Sequence, residues 1–194
     1  MEPLSGIWRQ TESISHKSYI CGYCGEKTGV RVGYYQEKAS NRMYICGGCN
    51  RPTFFDADMD QQTPYPILGN QVRHLPSTIE PLYEEARRCT QVNAYTACVL
   101  ACRKILMHVA VEKGAEDGKK FIEYVQYLAD KGYVPPDGKG WVDHIRNKGN
   151  EATHEIVMMN QENADELLSF VEMLLKFVYE FPSRIMPPEN GPQQ

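Results

Sequence analysis

The sequence predicts a mainly α protein, an antiparallel helical bundle of about five helices behind a small N-terminal β-hairpin module. Three observations lead there. From about residue 78 onward, apolar residues recur every three to four positions, the period of a helix. Residues 60–77 carry Pro64, Pro66, Gly69 and Pro76 with no period, the composition of a linker. The first 59 residues hold one cysteine pattern twice, on either side of a short alternating stretch. The expected organisation is therefore a ribbon over 1–59, a linker over 60–77, the bundle over 78–182 and a flexible tail over 183–194, where Pro187, Pro188 and Pro192 cluster.

The ribbon comes first. YICGYCG at 19–25 and YICGGCN at 44–50 are the same Tyr-Ile-Cys-Gly-x-Cys pattern, 25 residues apart. A two-residue gap lets both thiolates of a pair face one metal ion, and two such knuckles make a tetrahedral four-sulfur site. Cys21, Cys24, Cys46 and Cys49 are thus expected to hold one structural zinc per chain, closed to water. Val30, Val32 and Tyr34 alternate as in a strand, residues 36–42 are polar enough to turn, and Met43 to Ile45 return as a second strand. So small a segment cannot fold on burial alone, whereas a structural zinc contributes about 10–16 kcal/mol. Arg31, Tyr34, Tyr35, Lys38 and Arg42 form a candidate basic-aromatic patch. Against it, lysine and arginine nearly balance aspartate and glutamate over residues 1–58, seven to six.

The helices follow in order. Ser77 and Thr78 are candidate caps, with Pro81 in the first turn, for a helix to about residue 90 with Leu82, Tyr83, Ala86 and Cys89 inward. A second, over about 94–113, carries Tyr95, Cys98, Val99, Cys102, Ile105, Leu106 and Val109 and stops at Gly114. A third, over about 119–131, buries Phe121, Ile122, Val125 and Leu128 and stops at Gly132. After Pro135 and Pro136 a fourth spans about 139–157. The fifth starts near Asn163 and ends before Pro182, with Leu167, Leu168, Val171, Leu174, Leu175 and Val178 inward. Cys89, Cys98 and Cys102 sit on apolar stripes and read as core, because a buried thiol behaves as a small hydrophobe.

The fourth helix breaks the pattern. In WVDHIRNKGNEATHEI at 141–156, Trp141, Val142, Ile145, Ala152 and Ile156 make an apolar face and polar groups fill the remainder. At about 100° per residue Arg146, Asn150 and His154 rise as one stripe, with Asn147 in line with His154. A guanidinium can hold a phosphate bidentately, and an imidazole can move protons near neutral pH. The alternative is a solvated face with a capped histidine.

The stretches at 84–114, 145–154 (IRNKGNEATH) and 166–182 (ELLSFVEMLLKFVYEFP) together resemble the bacterial and phage family called domain of unknown function 4145, over roughly residues 77–182. That family is held to be related to the HEPN helical bundles, many of them metal-independent, dimeric ribonucleases. The resemblance implies an HEPN-like bundle, with Arg146 as the HEPN arginine, Asn147 as the polar residue after it and His154 as the histidine. Asn150, Glu151, His144 and Lys148 on the same helix are candidate binding residues beside them. Seven residues separate Arg146 from His154, where the family pattern has four to six. On a straight helix that is about 12 Å of rise and about 80° of rotation, so the two meet only through a bend at Gly149 or by pairing across a dimer, and the resemblance implies a homodimer.

Two functions follow from this. The first is a module that binds a nucleotide, nucleic acid or protein partner, in bacterial defence or phage counter-defence. The second is a metal-independent endoribonuclease using Arg146 and His154. The net charge of −4 excludes a global basic field for nucleic acid. Phosphate-binding glycine loops and paired catalytic carboxylates are missing from the sequence. With neither a signal-peptide pattern nor an apolar run of about 18 residues, the expected setting is the cytoplasm, away from any membrane.

Overall fold

A computed structural model describes residues 2–134 and 158–185. It divides into two compact units, one of residues 1–68 with 90–94, the other of residues 69–89 with 95–194.

The first unit is built on a five-stranded antiparallel sheet: β1 (Glu12–Ile20), β2 (Lys27–Tyr35), β3 (Arg42–Ile45), β4 (Pro52–Asp56) and β5 (Gln61–Thr63). Strand order follows chain order, so the sheet is a simple meander. The expected hairpin is its β2–β3 pair, with Gly33 opposite Tyr44 and Tyr35 opposite Arg42. Ile14, Tyr19, Val30 and Tyr44 form the small core together with Cys21, Cys46 and Cys49. Phe55 meets Tyr19 and Tyr44 edge to face around it, with ring centroids 5.0 and 5.6 Å apart, while Tyr19 and Tyr44 are tilted to each other at 6.2 Å.

This sheet overturns the mainly α bundle with a small hairpin. The chain combines a five-stranded sheet with, among the described residues, five α-helical segments, the last two joined by a π-helical one. The reason lies in the strand sequences. β1 reads ESISHKSYI and its pairing slips between Ser13 and Lys17, so no two-residue alternation survives. β5 has no apolar residue at all and falls inside the stretch read as a linker. Strands held by neighbours on a half-solvated sheet need little apolar sequence of their own.

In the second unit, α1 (Glu80–Gln91) buries Tyr83 and Ala86, and α2 (Tyr95–Glu112) buries Cys98, Val99, Cys102, Ile105, Leu106 and Val109. α3 (Phe121–Asp130) buries Tyr124 where Ile122 was expected, beside Phe121, Val125 and Leu128. The last rod runs through α4 (Gln161–Leu175), a π-helical segment (Lys176–Glu180) and α5 (Phe181–Ile185). Asn160 and Asn163 cap α4 reciprocally, at 2.9 and 3.2 Å. α2 packs against both α3 and α4, and each fully buried aliphatic side chain there contributes about 1.5–3 kcal/mol. The expected helix over 139–157 lies outside the described residues.

Two carboxylates pin the start of this unit to the rod. Glu172 accepts from the backbone N–H of Asn70 at 2.6 Å and from its side-chain amide at 3.0 Å. Two turns on, Glu180 accepts from the backbone N–H of Arg73 at 3.0 Å. Both side chains are buried and each has a cation beside it, Lys176 and Arg184 respectively. Among the described residues no helix is long and apolar enough to cross a membrane.

Candidate metal centre

In an antiparallel meander, alternate turns lie at the same end of the sheet. The β1–β2 and β3–β4 turns are such a pair, and each carries a cysteine pair. Cys21 directly follows β1, and Cys46 directly follows β3. The two turns are closed identically. The N–H of Cys21 donates to the Glu26 carbonyl and that of Cys46 to the Arg51 carbonyl, both at 3.0 Å. Gly25 N–H returns to the Cys21 carbonyl and Asn50 N–H to the Cys46 carbonyl, both at 2.9 Å. Gly25 and Asn50 each have left-handed backbone, at φ 75° and 56°. Glycine adopts it freely, and asparagine is among the few side chains that tolerate it.

The four sulfur atoms lie within 4.8 Å of one another. Cys21 faces Cys49 at 3.6 Å and Cys24 faces Cys46 at 3.8 Å, so the close pairs run between the knuckles. A disulfide requires about 2.05 Å, and all four thiols are free. Burial pushes the Cys24 thiol up to about 12 and raises Cys21 as well. At Cys46, burial is outweighed by the backbone N–H groups of Cys49 and Gly48, which hold its thiol below the ordinary value. Four thiolates this close repel one another unless a cation replaces their protons. The cluster can therefore hold a metal ion through four sulfurs.

The surroundings fix each knuckle separately. The second is bound to the N-terminal segment: Leu4 N–H donates to the Cys49 carbonyl, and Trp8 Nε1 to the Asn50 carbonyl, both at 2.9 Å. The Asn50 amide returns to the carbonyls of Leu4 and Gly6, at 3.0 Å each. The first knuckle packs under residues 64–65. A Cβ on Gly22 would lie 2.4 Å from the Pro64 carbonyl oxygen. The Gln91 side chain donates to the Gly22 carbonyl, and Gln62 Nε2 to the Ile20 carbonyl at 2.8 Å. These supports were not foreseen, although the Gly or Asn after each second cysteine is a sequence signal for the left-handed turn.

The other expected residues divide as follows. Arg146, Asn147, His154, Asn150, Glu151, His144 and Lys148 lie outside the described residues. In the basic-aromatic patch, the Arg42 guanidinium lies over the Tyr35 ring, while Tyr34 donates its hydroxyl to the Arg9 carbonyl and meets Trp8 edge on. Tyr34 and Tyr35 are adjacent in β2 and point to opposite faces, so the patch is not one surface. Cys98 and Cys102 are fully buried in α2. Among the described residues, no other three histidine, cysteine or acidic groups come together as the four cysteines do.

No curated protein and no solved structure matches the chain. The family model for Domain of unknown function (DUF4145) matches residues 84–188, more than half of the sequence. The chain belongs to that family of domains of unknown function, and carries the four-cysteine sheet ahead of it.

Proposed function

We propose that the protein is a zinc-stabilised binding module, in which one zinc ion per chain holds the N-terminal sheet together and takes no part in chemistry. The observation that carries this is the spacing of the sulfurs. A tetrahedral ion with Zn–S bonds of about 2.3 Å sets its ligands about 3.8 Å apart, and the close pairs here are 3.6 and 3.8 Å. Four protein thiolates fill the coordination shell and leave no position for a substrate or an activated water. When bound, the ion supplies folding free energy, of the order of 10 kcal/mol for such sites. What the module binds is a nucleotide, a nucleic acid or a protein.

Work in the cytoplasm rests on the sequence pattern. Assembly as a homodimer and a place in bacterial defence or phage counter-defence rest on the family resemblance alone. So does a metal-independent ribonuclease built on Arg146 and His154.

The test is metal content. Full-length protein purified under reducing conditions should carry one zinc per chain by elemental analysis, and Cys46→Ser should lose both the metal and the ordered sheet. A metal-free protein whose sheet signals are unchanged rejects the reading.

A further inference from the structure

A groove on the sheet carries the inference. Cross-strand pairing sets Arg42 of β3 opposite Phe55 of β4, and Phe55 opposite Gln62 of β5, so these side chains share one face. Lys17 belongs to β1, with β2 and β3 in between, yet its ammonium sits 4.3 Å from the centre of the Phe55 ring. The sheet must therefore curl, and its concave face encloses a groove of about 460 Å³. That is within the range of small-ligand sites.

The curl has an identifiable cause. Ser13 pairs with Val32 and Lys17 with Val30, so three residues of β1 bulge against one of β2. The Tyr44 hydroxyl, reaching from β3, donates to the Ser15 carbonyl inside this bulge at 2.9 Å. It thereby supplies a carbonyl that the ladder leaves unpaired and holds the strand bent. On the opposite rim, the Asp56 carboxylate accepts from the N–H groups of Asp58 and Met59, fixing the turn that presents Asp60 and Gln61.

The chemistry of the lining narrows the ligand. Lys17 is half-buried, and among the described residues no carboxylate lies within ion-pairing distance of it. Arg42 is held in place by one terminal nitrogen, which donates to the Ala39 and Asn41 carbonyls. The Phe55 ring is already taken by Lys17 and by edge contacts with Tyr19 and Tyr44, which leaves little of it for a stacked base. A ligand that is anionic throughout meets Asp56 and Asp60, and a neutral one leaves Lys17 unmatched. Hydroxyl groups both donate and accept, which suits Asp60 and Gln61.

We propose that this groove binds a small hydroxylated phosphate ester of about the size of a sugar phosphate. Its phosphate lies against Lys17 and Arg42 and its hydroxyls against Asp60 and Gln61. The proposal goes beyond the nucleotide, nucleic-acid or protein ligands of the binding-module reading and is independent of which metal the cysteines hold.

The experiment is a calorimetric and NMR titration of the full chain with ribose 5-phosphate, inorganic phosphate and ribose, with zinc measured on the same samples. Ribose 5-phosphate should bind in the millimolar range or tighter and shift the amides of Lys17, Arg42 and Phe55. Phosphate should bind more weakly, and ribose not at all. Lys17→Met should weaken ribose 5-phosphate about tenfold, the loss of one charge-assisted contact. Asp60→Asn should weaken ribose 5-phosphate and leave phosphate unchanged. No shift up to about 10 mM ligand, or equal binding by Lys17→Met, overturns the proposal. Phosphate binding as tightly as the ester overturns the hydroxyl half of it. Zinc-loaded protein that fails to bind counts against the groove and leaves the metal reading standing.

Discussion

Gly22 and Gly47 hold the same place in the two knuckles and meet opposite surroundings. A Cβ at Gly22 would lie 2.4 and 2.7 Å from the carbonyl oxygens of Pro64 and Tyr65, whereas nothing lies within 4 Å of one at Gly47. The same substitution should therefore give two results. Gly22→Ala should lower stability by about 1–3 kcal/mol through overpacking, and Gly47→Ala should stay within about 0.5 kcal/mol. Denaturant unfolding of both variants checks this, and equal losses would mean that residues 64–65 do not bear on the first knuckle.

Asn50 combines a left-handed backbone with two amide bonds to the N-terminal segment. Asn50→Gly removes only the amide and should cost about 1–2 kcal/mol. Asn50→Ala adds the backbone strain, about 1 kcal/mol more. Both should speed hydrogen exchange at Leu4, whose N–H bonds the adjoining Cys49 carbonyl. An alanine variant no less stable than the glycine one would refute the backbone part of the account.

Glu172 is a pH-dependent fastening. Burial pushes its carboxyl up, but Lys176 and the two donors of Asn70 outweigh burial and hold it below the usual carboxylate range. A depressed carboxyl stabilises the fold above its unfolded value, about 4.3, and that stabilisation is lost as pH falls through the folded value. The wild-type protein should be steady between neutral pH and about 5 and weaken below about 4. Glu172→Gln should be less stable at pH 7, by about 1–3 kcal/mol for hydrogen bonds to a charged group, with a shallower acid limb. Parallel acid limbs in the two proteins would show that the carboxylate is not what titrates.

Cys102 is fully buried in α2, one turn from Cys98. Cys102→Ser puts a more strongly polar group into that core and should lower stability by about 1–3 kcal/mol. Metal content should not change, because this thiol is remote from the sulfur cluster in both sequence and role. A fall in bound zinc for Cys102→Ser with the fold intact would contradict a purely packing role.

What could be read from the sequence was local. Two thiolates that face one ion need a fixed short spacing, so Cys21, Cys24, Cys46 and Cys49 announce themselves. The stripe from Cys98 to Val109 repeats with the helix itself, and the observed burial follows it. Most of the sheet was hidden because its strands are specified by partners. β1 loses its alternation to the bulge that Tyr44 pins from β3, and β5 is paired through Gln61 and Gln62 rather than through apolar residues. The buried carboxylates were equally out of reach, since Glu172 serves a residue 102 positions away and Glu180 one 107 positions away. No window of sequence relates such pairs.

The five residues 90–94 belong with the sheet, although about twenty residues and most of α1 lie between them and the end of that unit's first stretch at Leu68. Tyr65 N–H donates to the Gln91 carbonyl at 2.9 Å, and Gln91 in turn reaches the Gly22 carbonyl. A fragment ending at residue 68 would take Gln91 away from both Tyr65 and Gly22, so a single cut does not yield the sheet unit whole. The family match at residues 84–188 includes these same five positions. The five residues that close the turn between α1 and α2 thus count twice, once within the span of the family domain and once within the sheet unit.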